Sequence, residues 1–134
     1  MANIKSLGMA EELLANPHIS VRKSFFGLVT RYIYNPTGEK IRVNQKNYNP
    51  GGDGEAIKRM LSLGVEGLKK GLKSKGLPEP IAIGNMQLNI CYTRDHQFLA
   101  MQMEQFMDYM YTPTTDLVVA EGEDAQQILT AIKL

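Results

Sequence analysis

The sequence feature that most constrains the fold is one long amphipathic stretch closed at both ends by helix-breaking residues. A Pro-Gly-Gly-Asp-Gly segment precedes the stretch, and Gly-Leu-Pro-Glu-Pro follows it at 76–80. At roughly 100° per residue its apolar side chains fall within an arc of about 80°. These side chains are Ile57, Leu61, Val65, Leu68 and Leu72. The spacing predicts a helix over 55–75, with Asp53 as its N-cap.

The segment before this helix has the composition of paired strands. Aromatic and β-branched residues lead into an Asn-Pro-Thr-Gly sequence that is typical of a turn. Beyond the turn, Ile41 and Val43 alternate with Lys40 and Arg42. Because an alternating strand buries only one face, this pattern predicts a hairpin over 22–46 with a basic outer face.

The segment after the helix predicts several strands over 81–120. Residues 86–92 alternate apolar with polar side chains. Residues 97–110 fit two interpretations. Their Leu, Ala, Met, Gln and Glu content favours a helix, whereas a turn at 93–96 allows them to pair back on 86–92 as a strand. We favour strands.

The order of these elements predicts the fold class. A short helix over 6–15 begins the chain, and an acidic segment leads into a last helix over 123–133. The order helix, hairpin, helix, strands, helix argues for one α+β domain over 1–134. We expect an antiparallel sheet of hairpins with the helices packed on one side.

The charge of the chain is divided unevenly along its length. Residues 1–75 contain thirteen Lys and Arg against six Asp and Glu, and 76–134 contain two against eight, within a net charge of +1. A lopsided basic surface is typical of polyanion binding, because each neutralised phosphate releases counterions. The residues predicted to make this contact are Arg31, Lys40, Arg42, Lys58, Arg59, Lys69, Lys70 and Lys73. The same basic region also contains Arg22, Lys23 and Lys46.

The aromatic residues of the predicted hairpin allow two interpretations. Phe25, Phe26, Tyr32 and Tyr34 would stack on bases if they faced outward, but we interpret them as core. The main hypothesis is a non-enzymatic binding module whose hairpin and helix engage a polyanion such as nucleic acid. The alternative is a self-associating protein, a homo-oligomer, in which the basic part docks on the acidic part of the same chain or of a second copy.

A strip of glycines runs along the predicted long helix at Gly64, Gly67 and Gly71. Glycine in a helix interior costs about 0.5–1 kcal/mol relative to alanine, so three of them need an explanation. Either another backbone packs closely against the strip, from the sheet of the same chain or from a second copy of the helix, or the helix breaks near Gly64 or Gly67. We favour close packing within the chain.

Catalytic and metal signatures are absent from the sequence. His18, Cys91 and His96 lack the spacing of a zinc site, and no nucleophile is tied to either histidine. The glycine-rich loop before the long helix lacks the Lys-Ser/Thr ending of a phosphate-binding loop. With one cysteine and no apolar run long enough to span a bilayer, we expect a cytoplasmic protein without cofactor, metal or membrane partner.

Overall fold

The computed structural model describes residue 4 and residues 9–134, and this part of the chain forms an α+β fold with two antiparallel sheets. The predicted fold class is confirmed. The helices are α1 (Ala10–Leu14), α2 (Gly52–Ser62), α3 (Gly64–Lys75) and α4 (Glu123–Ile132). The strands are β1 (Ile19–Ser24), β2 (Val29–Tyr34), β3 (Glu39–Lys40), β4 (Arg42–Tyr48), β5 (Met86–Tyr92), β6 (Phe98–Met107), β7 (Met110–Pro113) and β8 (Val118–Glu121).

The larger sheet forms the centre of the molecule. Its strands lie in the order β4-β5-β6-β7, and β8 pairs with the first part of β6. Within 97–110 the chain therefore forms strand from 98 to 107, as favoured above, and a turn at 108–109 leads into β7. One face of this sheet packs against α2, α3 and α4 to form the main core. The side chains that β5 and β6 contribute to it include Leu88, Ile90, Leu99, Met101 and Met103.

A second layer covers the opposite face of the central sheet. It consists of the three-stranded sheet β1-β2-β3 together with α1. Its residues Ile19, Tyr32 and Tyr34 pack in one cluster with Cys91 and Phe98 of the central sheet. The prediction that all helices lie on one side is therefore wrong for α1. The physical reason is that β6 is buried on both faces through most of its length, so both faces need a cover.

The predicted hairpin over 22–46 is divided between the two sheets. Its Asn-Pro-Thr-Gly turn forms, but β3 pairs with β2 through only two residues. Ile41 then turns into the core, where it is 4% exposed, and the chain continues as β4, which pairs with β5. The main hairpin is instead β1 with β2, closed by a turn at residues 25–28. The predicted single hairpin is wrong because the chain passes from the smaller sheet to the central sheet at Ile41, which lies between β3 and β4 in sequence and has a buried side chain.

The predicted helix over 55–75 is two helices. The chain breaks after Leu63, where Gly64 has a φ of +76°, a conformation that favours glycine. Helix α3 then turns back along α2. A Cβ at Gly67 would lie 2.2 Å from the Leu63 Cβ, and one at Gly71 would lie 2.3 Å from the Met60 Sδ. The break at Gly64 is therefore the alternative interpretation of the glycine strip, and Gly67 and Gly71 approach Leu63 and Met60 instead of the sheet.

The terminal helices agree with their predictions where the structure describes them. Helix α4 ends at Ile132, within one residue of the prediction. Helix α1 falls within the predicted 6–15, of which residues 6–8 lie outside the described residues. In the described part of the chain, no helix is both long and apolar enough to cross a membrane.

Candidate polyanion-binding site

The pairing of β1 with β2 places two arginines face to face. Arg22 lies directly opposite Arg31, and on the next strand Lys40 lies opposite Ile33, two residues beyond Arg31. Because side chains two residues apart share a face of a strand, all three cations point to the same side. We call Arg22, Arg31 and Lys40 the basic face. Like charges directly opposite each other in a sheet are destabilising, so the facing arginines do not contribute to the stability of the fold.

The basic face lies on the side of this sheet that does not pack on the central sheet, and it also carries Ile33, which is buried. The other face of the same sheet buries Ile19, Tyr32 and Tyr34 against the central sheet. Arg22, Arg31 and Lys40 are all exposed. None of them forms an ion pair with a carboxylate in the part of the chain that the structure describes. Three cations are therefore available to a ligand on one surface.

The same hairpin ends in three exposed apolar side chains. Phe25, Phe26 and Leu28, which we call the apolar tip, are 70%, 107% and 86% exposed. The burial of β1 falls from Ile19 to Ser24, so the end of the hairpin extends beyond the core. The interpretation of both phenylalanines as core residues is therefore wrong, although Tyr32 and Tyr34 are buried as expected.

The backbone of the apolar tip is strained. Phe25 and Phe26 have φ values of +51° and +58°. For bulky side chains this left-handed region is unusual and costs on the order of 1–3 kcal/mol per residue, whereas asparagine and glycine tolerate it. The turn thus exposes two phenylalanines to water at positions where asparagine or glycine would be less strained.

The other predicted cations do not join the basic face. Lys58, Arg59, Lys70 and Lys73 lie on α2 and α3, which cover the opposite face of the central sheet. Arg42 lies opposite Tyr92 in the β4–β5 ladder, within the central sheet itself. The break at Gly64 also divides the five predicted helix cations, including Lys69, between α2 and α3. The structure therefore brings Arg31 and Lys40 together with Arg22, and separates them from the helices.

Two of the helix lysines have acidic neighbours. The Lys69 Nζ lies 2.9 Å from Asp124 Oδ1 and 3.5 Å from Glu66 Oε1, and the hydrogen bond with Asp124 raises the pKa of this lysine. Lys58 lines an open groove of ≈520 Å³ together with Glu12 and Asp116. The Lys69–Asp124 pair joins α3 to α4.

A second contact between the two parts of the chain involves His18. Its Nδ1 lies 2.6 Å from Glu121 Oε1, and the Tyr34 hydroxyl donates a hydrogen bond of 2.5 Å to the same oxygen. Burial and the hydrogen bond with Glu121 raise the pKa of Tyr34 to about 12. The nearby Ser20 hydroxyl donates to Asn35 Oδ1 instead of contacting the histidine. The cluster therefore connects the two sheets and lacks an activated serine.

The glycine-rich loop before α2 is lined by carboxylates. Gly51, with a φ of +78°, is the N-cap, and Asp53 lies in the first turn, which corrects the predicted N-cap. The loop lines a cavity of ≈240 Å³ together with Asp53 and Glu79. Two carboxylates repel an anion, so the structure offers no phosphate site here.

The remaining candidate groups show no functional geometry. Burial raises the pKa of the Cys91 thiol to about 12, as expected for an inert cysteine. In the part of the chain that the structure covers, no three His, Cys, Asp or Glu side chains are grouped to hold a metal ion. His96 Nε2 contacts the Leu134 carbonyl oxygen.

The comparisons with known proteins give no family for this chain. No protein-family model, curated protein or solved structure matches it.

Proposed function

We propose that this protein is a binding module that engages a polyanion through the basic face of Arg22, Arg31 and Lys40. The observation that carries the proposal is the exposed cross-strand pair of Arg22 and Arg31, with no carboxylate partner among the described residues. The pair lowers folding stability, and an anion bound between the two guanidinium groups removes that repulsion. A guanidinium also binds phosphate through two parallel hydrogen bonds, which a lysine does not provide.

The proposal narrows the predicted contact to one side of the molecule. Lys70 and Lys73 are also exposed, but they lie on α3, across the central sheet from the basic face. They therefore provide a matched control that removes the same amount of charge from a different surface.

The test measures how salt changes polyanion binding. Fluorescence anisotropy with labelled heparin and a labelled single-stranded oligonucleotide compares the wild type with Arg22→Gln/Arg31→Gln and with Lys70→Gln/Lys73→Gln. Each phosphate contact adds about 0.7–0.9 to the slope of log affinity against log salt, so the arginine variant should lose about 1.4–1.8 units of slope. We expect its affinity at low salt to fall by about tenfold or more, and the lysine variant to retain both affinity and slope.

Two results contradict the proposal. If the wild type binds neither probe at low salt, the basic face has no polyanion ligand. If the arginine and lysine variants lose the same affinity, binding follows net charge and not this surface.

Self-association stays a separate prediction. The ion pair between Lys69 and Asp124 is one contact between a basic and an acidic side chain within one copy. Light scattering across a concentration and salt series tests intermolecular docking, and a monomer throughout the series removes it.

A further inference from the structure

We infer that the polyanion is the surface of an anionic lipid bilayer, which the apolar tip of Phe25, Phe26 and Leu28 enters while the basic face contacts the lipid headgroups. This inference rests on the proposed function of the basic face. It adds the class of partner and a second contact that polyanion binding alone does not require.

The order of residues along the hairpin favours a bilayer. The apolar tip comes first, and the pair Ser24–Val29 closes the turn. Arg22 and Arg31 follow two residues behind that closing pair, a distance of about 7 Å at 3.3 Å per residue. Apolar segments that bind a membrane surface are buried about 5–10 Å below the headgroups. With the tip inserted, both arginines therefore lie at the depth of the lipid phosphates.

A further lysine lies close behind the apolar tip. Lys23 lies opposite Thr30, one residue from the closing pair, and its side chain is exposed. It is on the other face of the hairpin from Arg22 and Arg31, so cations surround the tip on both faces. A hairpin that enters a bilayer end-on meets headgroups on both faces, which matches this distribution.

The composition of the tip favours lipid over a nucleic acid. Base stacking uses aromatic rings that lie beside the cations in a groove. Here Leu28 has no ring, and all three apolar side chains lie ahead of the cations, at the end of the hairpin. The left-handed backbone of Phe25 and Phe26 also holds bulky apolar groups where asparagine would be less strained.

This contact differs from a membrane-spanning helix. The expectation of no membrane partner depends on the absence of an apolar run long enough to span a bilayer. A surface contact of one hairpin tip needs no such run.

The chain allows a direct spectroscopic test, because it contains no tryptophan. Phe26→Trp places a single tryptophan at the tip, and Tyr109→Trp places one at the β6–β7 turn. Tyr109 is the matched control, since it is 96% exposed and has a φ of +66°, close to the conformation of Phe26. The full-length variants are titrated with vesicles of phosphatidylcholine alone and of phosphatidylcholine with phosphatidylserine.

We expect the emission of Phe26→Trp to shift to the blue only with phosphatidylserine vesicles, and brominated lipid to quench it. The emission of Tyr109→Trp should stay at its position in water. A shift of both variants, or of neither, overturns the assignment of the tip. Quenching of Phe26→Trp by a single-stranded oligonucleotide, without a shift on vesicles, assigns the tip to base stacking and also overturns it.

Sedimentation with the same vesicles separates this inference from the proposed function. Phe25→Asn/Phe26→Asn suits the left-handed turn, so the variant should fold, yet it should bind phosphatidylserine vesicles about tenfold or more weakly while retaining heparin affinity. Tyr109→Asn should bind vesicles like the wild type. If Arg22→Gln/Arg31→Gln weakens heparin binding but the wild type does not sediment with the vesicles, the inference fails and the proposed function stands. If the arginine variant changes neither heparin binding nor vesicle binding, the inference and the proposed function both fail.

Discussion

His18 Nδ1 lies 2.6 Å from Glu121 Oε1 and so connects the segment that enters β1 to the end of β8, 103 residues later. The Tyr34 hydroxyl binds the same oxygen. Partial burial alone would raise the pKa of Glu121, but the hydrogen bonds from Tyr34 and His18 outweigh it and hold the pKa below its usual 4.5. The carboxylate form is therefore the one that stabilises the contact between the two sheets.

This shift predicts a loss of stability in acid. Because the pKa of Glu121 is lower in the folded than in the unfolded chain, its contribution is present above pH 4.5 and is lost as pH falls through the folded-state value. We expect Glu121→Gln to lower the free energy of unfolding by about 1 kcal/mol near neutral pH, since the site is partly exposed. Urea unfolding across an acid pH series should show a smaller difference between variant and wild type as pH falls. A constant difference would contradict the assignment.

Cys91 predicts the behaviour in alkali. Its pKa is raised from 9.0 to about 12 by burial, so its contribution is complete below pH 9 and is lost as pH rises toward 12. We expect Cys91→Ala to unfold with a flatter dependence on pH between 9 and 12. In the folded wild type a thiol reagent should react only at the rate of unfolding. Fast reaction of the folded protein would show that the thiol is accessible.

The contact between α2 and α3 predicts a suppressor pair. A Cβ at Gly71 meets the flexible end of Met60, whereas a Cβ at Gly67 meets the Leu63 Cβ, which is fixed to the backbone. We therefore expect Gly71→Ala to cost about 1–3 kcal/mol and Gly67→Ala to cost more. Met60→Ala should relieve Gly71→Ala but not Gly67→Ala. Urea unfolding of the single and double variants measures this coupling, and additive effects for Met60 and Gly71 would contradict the close approach.

A buried amide in the central sheet predicts a large effect from a small change. Asn89 has no exposed surface, accepts a hydrogen bond of 2.9 Å from Gln45 Nε2, and donates through Nδ2 to Glu104 Oε1. We expect Asn89→Ala to cost about 1–3 kcal/mol, because the polar groups that it contacts lose a buried partner. Asn89→Asp should cost more, since it adds a second carboxyl group beside Glu104. Thermal unfolding measures both, and an aspartate variant as stable as the alanine variant would contradict this account.

The fold class was predictable because its signals are local. The apolar spacing of 57–72, the turn before β3 and the break at 76–80 each depend on neighbouring residues. The path of the chain at Ile41 was not predictable, because alternation continues through 40–44 whichever sheet the strand joins. The break at Gly64 was visible only as an alternative, since the apolar spacing continues across it.

The candidate site was predictable only where its signals are local. Arg31 and Lys40 follow from the basic alternation of the hairpin, but the partner of Arg31 depends on a register that a four-residue turn sets. Phe25 and Phe26 resemble core residues of a strand, and only their place at the turn exposes them. Grouping the helix lysines with the hairpin failed because a central sheet separates them.

The facing arginines predict that a loss of function increases stability. Arg22→Thr removes the repulsion across the β1–β2 pair and adds a residue that favours strands, so we expect the free energy of unfolding to rise by about 0.2–1 kcal/mol at low salt. The same variant should bind polyanions more weakly. Added salt screens the repulsion, so the gain should shrink as salt rises in urea unfolding. Lys23→Thr is the control, because Lys23 lies opposite Thr30 and its replacement relieves no like-charge pair. An equal gain from both substitutions would show that strand propensity, and not the repulsion between Arg22 and Arg31, is responsible.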